Sequence, residues 1–432
     1  MGSAQKGRPT LLTTRSFCLL RGEEPRMYRR VLFSSSVFLL LLPSDAWAQD
    51  DVERIQAAVR RGVQYLKSRQ GPDGSWKYNQ HDVGITALLG LALAENGVQL
   101  DDPVLRSAYQ YVQTNAPQIA QTYDVSLAIL FLVRVGNARD TELIHLLGRR
   151  LAAGQLASGG WTYTCPQAVP PAAPASLTNK PSPKPDRTRR AGQLKAAQLT
   201  GQFGDNSNTQ FAVLGIWAAG RAGLDVSGPM GLIDQRFRST QSQQGGWGYN
   251  GPRGDSDAMT CAGLMALALA KGHKTLEAQM VNRRPDKDRP EGPAERPKME
   301  SDSQIDQGIR RVEQFANNIN PGSSLYFLWS LERVGVALGM ARIGRVDWYG
   351  RGAAALVQGQ QADGSWRTAH GELADTAFAL LFLRRSNLTQ GMPQLVSSRS
   401  SESGDNRMRS GNVEDLIRTV RPPAEPKEQK DR

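Results

Sequence analysis

Two kinds of apolar segment alternate along the chain. Residues 57–69 represent the first kind, with Val59, Val63 and Leu66 at i, i+4 and i+7 and basic residues between them, which predicts a helix with one solvent-facing side. The second kind is apolar nearly all round and predicts a buried helix; it occurs at residues 86–94, 211–219, 262–270 and 376–383. With two further pairs at residues 104–136 and 305–335, the sequence predicts six helical hairpins, each with an outer and an inner helix.

A short motif joins the outer and inner helix in four of these pairs. It consists of a Gln, three residues, a Gly, one residue and a Trp, and its identical spacing marks an internal repeat. The repeat occurs at Gln70, Gly74 and Trp76; Gln155, Gly159 and Trp161; Gln241, Gly245 and Trp247; and Gln360, Gly364 and Trp366. We interpret these residues as structural, since a Gly permits a tight turn and a large aromatic residue anchors it.

The four motifs and the six hairpins resemble the α/α toroid of terpenoid cyclases, protein prenyltransferase β subunits and the complement thioester domain. The resemblance spans residues 52–387 and implies an all-α double ring with the apolar helices inside. It also implies that the Gln amide caps a helix end and stacks on the Trp, which ties an outer helix to the next pair. The strings LERVG (331–335), VDWY (346–349) and GDNSNTQFAVLG (204–215) resemble an uncharacterised branch of secreted bacterial prenyltransferase or squalene-oxidase repeat proteins.

The N-terminal residues have the features of an export signal. A basic stretch begins at Met27, residues 31–42 are apolar, and Ala46-Trp47-Ala48 is a small-x-small cleavage site. We expect residues 1–48 to be a leader with its initiator at Met27, cleaved after Ala48. No later segment reaches the roughly twenty apolar residues that a membrane span requires. The mature protein is therefore expected to be secreted or periplasmic.

The net charge of +12 is concentrated outside the helical pattern, in the leader, two insertions and the C-terminal tail. None of these segments interleaves aromatic residues with its charges, which argues against nucleic-acid binding. Their proline content and low hydrophobicity predict disorder. The toroid is thus placed at residues 49–390, with disordered insertions at about 166–202 and 271–303 and a disordered charged tail at 391–432; solvated linkers and partner-docking segments both fit these compositions.

The two cysteines of the mature chain, Cys165 and Cys261, follow the second and third motifs. A disulfide between them and two isolated thiols are both compatible with that placement. The chain has no CxxC pair and no clustered histidines, so no metal and no cofactor are predicted.

Polar residues recur where the inner helices begin, the end that opens on the central cavity in toroid enzymes. They are Asp82, Asp205, Asn206, Asn208, Asp255, Asp257, Glu372 and Asp375, with His81 beside the first. Short polar side chains at this position are also the expected helix caps. Capping and a functional cavity mouth are therefore both open.

Toroid enzymes provide two tests of a catalytic role. Class II cyclases carry D-x-D-D-T-A, whose middle Asp is the proton donor; here residues 372–377 read ELADTA, and Ala374 stands at the donor position. Prenyltransferases bind zinc through an Asp, a Cys and a His; Asp257 matches the Asp, but Met259 and Asp375 occupy the other positions, while Cys261 and His370 are displaced. The candidate catalytic residues that remain are Asp257, Asp375 and Glu372.

Two functions follow from these observations. The first is a secreted binding or scaffold toroid that holds an apolar, isoprenoid-like ligand or an envelope protein. The second is a diverged cyclase-like or prenyltransferase-like enzyme on an isoprenoid substrate. The sequence leaves open whether the cavity is empty or is filled by the aromatic residues Phe211, Trp217, Tyr326, Phe327, Trp329 and Phe378.

Overall fold

The structure is a computed structural model that describes residues 44–169, 203–251, 254–282 and 301–385. Twelve α-helices occur in these ranges. They are α1 Ser44–Ser68, α2 Asp82–Glu95, α3 Pro103–Asn115, α4 Thr122–Val135, α5 Thr141–Ala153, α6 Asn206–Arg221, α7 Ser227–Thr240, α8 Asp257–Asn282, α9 Ser303–Ala316, α10 Leu325–Ala337, α11 Trp348–Gly359 and α12 Glu372–Arg384. The compact unit that contains the hairpins begins at Ala48.

The even-numbered helices form a closed inner ring. Each packs on the next, from α2 through α4, α6, α8 and α10 to α12, and α12 packs on α2. The odd-numbered helices α3, α5, α7, α9 and α11 pack against this ring. The prediction of an all-α toroid built from six helical hairpins is therefore confirmed.

Burial explains why the two kinds of helix have different sequence patterns. All residues from Val83 to Ala94 of the inner helix α2 are buried. In the outer helix α9 the buried residues are Ile305, Gly308, Val312 and Ala316, which form a single stripe. No helix among the described residues combines the length and apolar character needed to cross a bilayer.

The predicted segment boundaries need one correction. Helix α8 continues to Asn282. The predicted start of the second insertion, residue 271, is therefore too early. The apolar pattern ends near residue 270 because the last turns of α8 carry polar residues, although the backbone remains helical. The predicted disorder of residues 170–202, 283–300 and 391–432 lies outside the described residues, as does most of the leader. Helix α1 begins at Ser44 and runs through the predicted cleavage site; export itself stays a prediction.

The glutamine of each motif joins two neighbouring hairpins. Its Nε2 donates to the carbonyl of the glycine in its own motif, at 2.9, 3.1, 2.9 and 2.9 Å for Gln70, Gln155, Gln241 and Gln360. The same nitrogen donates to an outer helix of the next hairpin, at the carbonyls of Val104, Pro229, Gln304 and Ala58. The amide thus ties its own hairpin to the outer helix of the next one, as the resemblance implied.

The tryptophan of each motif performs the capping. Its indole N–H donates to a carbonyl in the last turn of the preceding outer helix, at Leu66, Leu151, Phe237 and Leu356. Its backbone N–H donates to a threonine of the following inner helix, at Thr86, Thr209, Thr260 and Thr376. One residue therefore binds both helices of its hairpin, which supports a structural role for the motif.

The glycine of each motif permits close contact with the next hairpin. Gly74, Gly159, Gly245 and Gly364 all have positive φ, between 79° and 89°. A Cβ on Gly364 would lie 2.6 Å from the carbonyl oxygen of Arg61 in α1. The motif therefore requires a residue without a side chain.

Candidate ligand-binding mouth

The loops that follow the tryptophans build one face of the ring. The carbonyl of Tyr163, two residues after Trp161, accepts from the N–H of Thr122 at 2.9 Å. The carbonyl of Tyr249, at the same position after Trp247, accepts from the N–H of Asn206 at 2.8 Å. Thr122 and Asn206 are the first residues of α4 and α6. Each loop thereby binds the N-terminus of the preceding inner helix, and we call this face of the ring the mouth.

Two exposed tyrosines mark the rim of the mouth. Tyr163 is 58% exposed and Tyr249 is 42% exposed, and their hydroxyls lie 3.0 Å apart. They are the exposed large apolar residues in the part of the chain that the structure describes. The sequence signal for them is the tripeptide Trp-x-Tyr, present in three of the four motifs, and it was missed.

Four aromatic side chains of the inner helices α6, α10 and α12 pack against one another. Phe211 of α6 lies 5.0 Å from Trp329 and 6.1 Å from Tyr326 of α10, measured between ring centroids. Phe378 of α12 lies 5.2 Å from Trp329 and 5.7 Å from Tyr326. We call these four residues the aromatic cluster, and all four are buried. Trp217 and Phe327 are buried as well.

A chain of hydrogen bonds runs through this aromatic region. The hydroxyl of Tyr123 donates to Ser207 Oγ at 2.8 Å, and Ser207 Oγ lies 3.0 Å from the hydroxyl of Tyr326. The Tyr326 hydroxyl donates to Gln210 Oε1 at 2.8 Å. Burial raises the pKa of Tyr326 and of Tyr123, so both phenols remain protonated donors at neutral pH.

The predicted residues of α6 have structural partners. Asp205 caps the helix, with Oδ1 accepting from the backbone N–H of Asn208 at 2.7 Å, and Oδ2 accepts from the Asn208 side chain at 2.9 Å. Asn206 accepts from buried Arg236 at 3.0 Å and donates to the carbonyl of Gly248 at 2.8 Å. Burial lowers the pKa of Arg236 to about 9, and its remaining donors bind backbone carbonyls.

Three other carboxylates that were predicted to lie at the mouth form ion pairs or hydrogen bonds with neighbouring residues. Asp255 binds Arg311 of outer helix α9 at 2.8 Å. Asp82 accepts from the backbone N–H of Tyr78 at 3.1 Å and pairs with Lys77. Glu372 accepts from the Tyr65 hydroxyl at 2.6 Å and pairs with Arg367. Stabilising partners therefore account for all three.

Asp257 and Asp375 are bound less completely. Asp257 is half-buried at the start of α8, where burial raises the pKa of its carboxyl and Oδ1 accepts from the N–H of Ala258 at 2.6 Å. Asp375 is fully buried, and its Oδ2 accepts from the backbone N–H of Thr368 at 2.5 Å and more weakly from His370 at 3.4 Å. Its Oδ1 has no hydrogen-bond partner.

One ionisable pair at the mouth was missed by the sequence analysis. His81 Nδ1 lies 2.7 Å from Oδ1 of Asp124, whose side chain is 2% exposed. Burial raises the pKa of Asp124, and His81 opposes that rise. Asp124 belongs to a hairpin without the Trp motif, so alignment of the motifs did not identify it as a mouth residue.

Neither cysteine forms a disulfide: Cys165 and Cys261 are buried free thiols. Burial raises the pKa of both, which keeps them protonated and unreactive. Across residues 44–169, 203–251, 254–282 and 301–385, no group of three His, Cys, Asp or Glu side chains is arranged to hold a metal ion.

Neither a protein-family model nor a curated protein matches the chain. Similar solved structures include two substituted forms of the type II terpene cyclase MstE from Scytonema. The first, in complex with its substrate geranylgeranyl dihydroxybenzoate, is 12% identical with a TM-score of 0.46 over 81% of this chain and 99% of that chain. The second, without ligand, is 12% identical with a TM-score of 0.46 over 78% and 97%.

A protein from Actinoplanes is 15% identical, with a TM-score of 0.44 over 77% of this chain and 99% of that chain. Likeness at this level concerns the fold and carries no residue roles. The closed ring of inner helices, with the outer helices packed on it, by itself makes the fold an α/α toroid.

Proposed function

We propose that this protein is a binding toroid that holds an apolar, isoprenoid-like ligand in the mouth of the ring. The observation that carries the proposal is the placement of Tyr163 and Tyr249, the exposed aromatic residues of the described chain, at that mouth. Exposed aromatic surface is costly in water and commonly marks a site of ligand contact. Tyr123 continues it inward, because its ring lies 6.5 Å from Tyr163 and 5.1 Å from Phe211.

The packed aromatic cluster favours binding over cyclisation. A cyclase must enclose its whole substrate in a chamber and protonate it there, whereas the aromatic cluster occupies the space between α6, α10 and α12. Ala374 supplies no acid at the position where class II cyclases carry their donor. The ligand would therefore rest on the outer surface of the cluster, beneath the rim tyrosines, in a protein exported to the periplasm or secreted.

Tryptophan fluorescence provides a direct test, since Trp329 belongs to the cluster. Titration with farnesol, a soluble isoprenoid probe, is expected to change the emission of the wild-type protein in a saturable way. Tyr163→Ala combined with Tyr249→Ala should weaken binding about tenfold or more, because each ring contributes apolar contact area. Tyr111→Ala, on the outer helix α3, is the matched control. Absence of saturable binding in the wild-type protein would reject the proposal.

A second candidate is a diverged enzyme that acts on an isoprenoid substrate. It is favoured by Asp257, whose carboxyl has a pKa raised by burial, as an acid or base requires. Incubation with squalene, oxidosqualene or prenyl diphosphates, followed by mass spectrometry, tests this candidate. A product that disappears in Asp257→Asn or Asp375→Asn, at unchanged stability, would replace the binding function with this one.

A further inference from the structure

Two buried polar atoms face each other at the mouth without hydrogen-bond partners. Oδ1 of Asp375 and Nδ1 of His370 lie 3.8 Å apart, and neither has a partner. That distance is too long for a direct hydrogen bond. Unsatisfied buried polar atoms are rare and costly, because each loses its interaction with water on folding.

The surroundings of this gap are aromatic and polar in equal part. The His370 ring lies 5.3 Å from the ring of Tyr326 and 6.2 Å from that of Phe378, so His370 adjoins the aromatic cluster. The His370 side chain is 40% exposed while the Asp375 side chain is fully buried. The gap thus lies between a part-exposed ring and a fully buried carboxyl group, and both of its facing atoms are buried.

The two atoms define what would fill the gap. A carboxylate oxygen only accepts hydrogen bonds, while a ring nitrogen of histidine donates in one tautomer and accepts in another. A single oxygen atom can lie about 2.8 to 2.9 Å from both atoms. A hydroxyl meets the requirement, because it donates its proton to Asp375 and accepts from the N–H of His370.

From this geometry we infer that His370 and Asp375 form a hydroxyl-recognition site for the head group of an apolar alcohol. The inference rests on the proposed binding function and specifies the ligand further: its hydroxyl occupies the gap, and its hydrocarbon part lies against Tyr326 and Phe378. Asp375 is already fixed by the N–H groups of Thr368 and His370 at Oδ2. Only Oδ1 remains for the ligand.

The test compares two probes with the same hydrocarbon chain: farnesol, which has a hydroxyl, and farnesyl methyl ether, in which a methyl group replaces the hydroxyl proton. The wild-type protein should bind farnesol about tenfold more tightly, as expected for one hydrogen bond that the ether cannot donate. His370→Phe keeps the ring that packs on Tyr326 and removes Nδ1. Asp375→Asn keeps an acceptor for Thr368 and presents an amide to the gap. Both variants should reduce the preference for farnesol and leave the affinity for the ether unchanged.

A control variant and two further probe comparisons distinguish failure of this inference from failure of the proposed function. Asp347→Asn makes the same chemical change at the N-cap of the outer helix α11 and should keep the tenfold preference. Equal affinity for the two probes in the wild-type protein would overturn the inference and show that water alone fills the gap. Tighter binding of farnesylamine than of farnesol would overturn it in favour of an ammonium group. Binding of none of the three probes would instead reject the proposed function.

Discussion

The side-chain amide of Gln360 donates a hydrogen bond of 2.9 Å to the carbonyl of Ala58, 302 residues earlier in the chain. Ala58 lies in α1, the first outer helix, and Gln360 follows α11, the last. Gly364 of the same motif approaches the backbone of Arg61 in α1. The contact that links neighbouring hairpins elsewhere thus closes the ring between its first and last hairpins.

Replacing Gln360 by Ala should open this closure. The variant loses two hydrogen bonds to backbone carbonyls, and each is worth about 1 kcal/mol net, so the free energy of unfolding should fall by about 2 kcal/mol. Urea unfolding measures the total decrease in the free energy of unfolding. Amide hydrogen exchange should show that the loss of protection is concentrated in α1. Gln361→Ala, at an exposed position next to it, serves as control. A uniform rise in exchange across the whole ring would contradict this account of closure.

Alanine at Gly364 should cost more than alanine at Gly97, although both glycines have nearly the same φ, +89° and +86°. Alanine at either position incurs the strain of a left-handed backbone, about 1 to 2 kcal/mol. At Gly97 the added Cβ meets no atom within 4 Å, whereas at Gly364 it meets the carbonyl of Arg61 at 2.6 Å. We expect the second variant to lose about 2 kcal/mol more in unfolding experiments. Equal losses would mean that the contact with α1 adjusts freely.

Removal of a motif tryptophan should be far more damaging than removal of an insertion. Trp247 is fully buried, and Trp247→Ala should lower the free energy of unfolding by about 3 to 5 kcal/mol. Replacement of residues 170–202 by a Gly/Ser linker should change it by less than about 1 kcal/mol, since loop length affects stability weakly. Both values follow from denaturant titrations. Similar losses from the two changes would place the insertion within the packed structure.

Glu332 should make the stability of the protein decrease as the pH rises. The residue is fully buried, and burial raises the pKa of its carboxyl to about 7, with Glu95 adding to the rise while Arg333 and Arg385 oppose it. Between about pH 4.5 and 7 the unfolded carboxyl has lost its proton and the folded one retains it, so deprotonation penalises the folded state. This contribution is greatest below pH 4.5 and is lost by about pH 7.

The part of the decline that is due to Glu332 should be absent in Glu332→Gln, which cannot titrate. Urea unfolding of the wild-type protein and the variant, in steps from pH 4.5 to 8, gives the free energy of unfolding of each as a function of pH. The difference between these two curves is the contribution of Glu332. Glu142→Gln, exposed on the outer helix α5, should leave the wild-type slope unchanged. Parallel curves for wild type and Glu332→Gln would show that another group carries the pH dependence.

Export predicts a defined N-terminus. Cleavage after Ala48 would leave Gln49 as the first residue, because Ala46 and Ala48 supply the small side chains that signal peptidase requires. The intact mass of protein from the periplasm or medium of a bacterial host measures this end. Recovery of soluble cytoplasmic protein that retains residues 27–48 would contradict it.

The sequence by itself determined the architecture, because burial of a helix is recorded in its own residues. The all-round apolar segments at 86–94 and 211–219 became the inner helices α2 and α6, and the stripe that begins at Ile305 became the outer helix α9. The repeated spacing of Gln, Gly and Trp located four of the six hairpin connections. Asp205 was recognised both as a cap and as a mouth residue, and capping proved to be its contact.

The tertiary structure decided which side chains are in contact, because contacts between different hairpins cannot be predicted from the spacing of residues within one helix. Asp255 resembles Asp257 in sequence, but Arg311 of α9 holds it at 2.8 Å. The pairing of His81 with Asp124 crosses from α2 to α4, and the aromatic cluster draws on α6, α10 and α12. A periodic pattern predicts that one face of a helix is buried. It does not predict which neighbouring helix covers that face. Closure of the ring supplies that information, because it brings the N-terminal ends of the inner helices to one mouth.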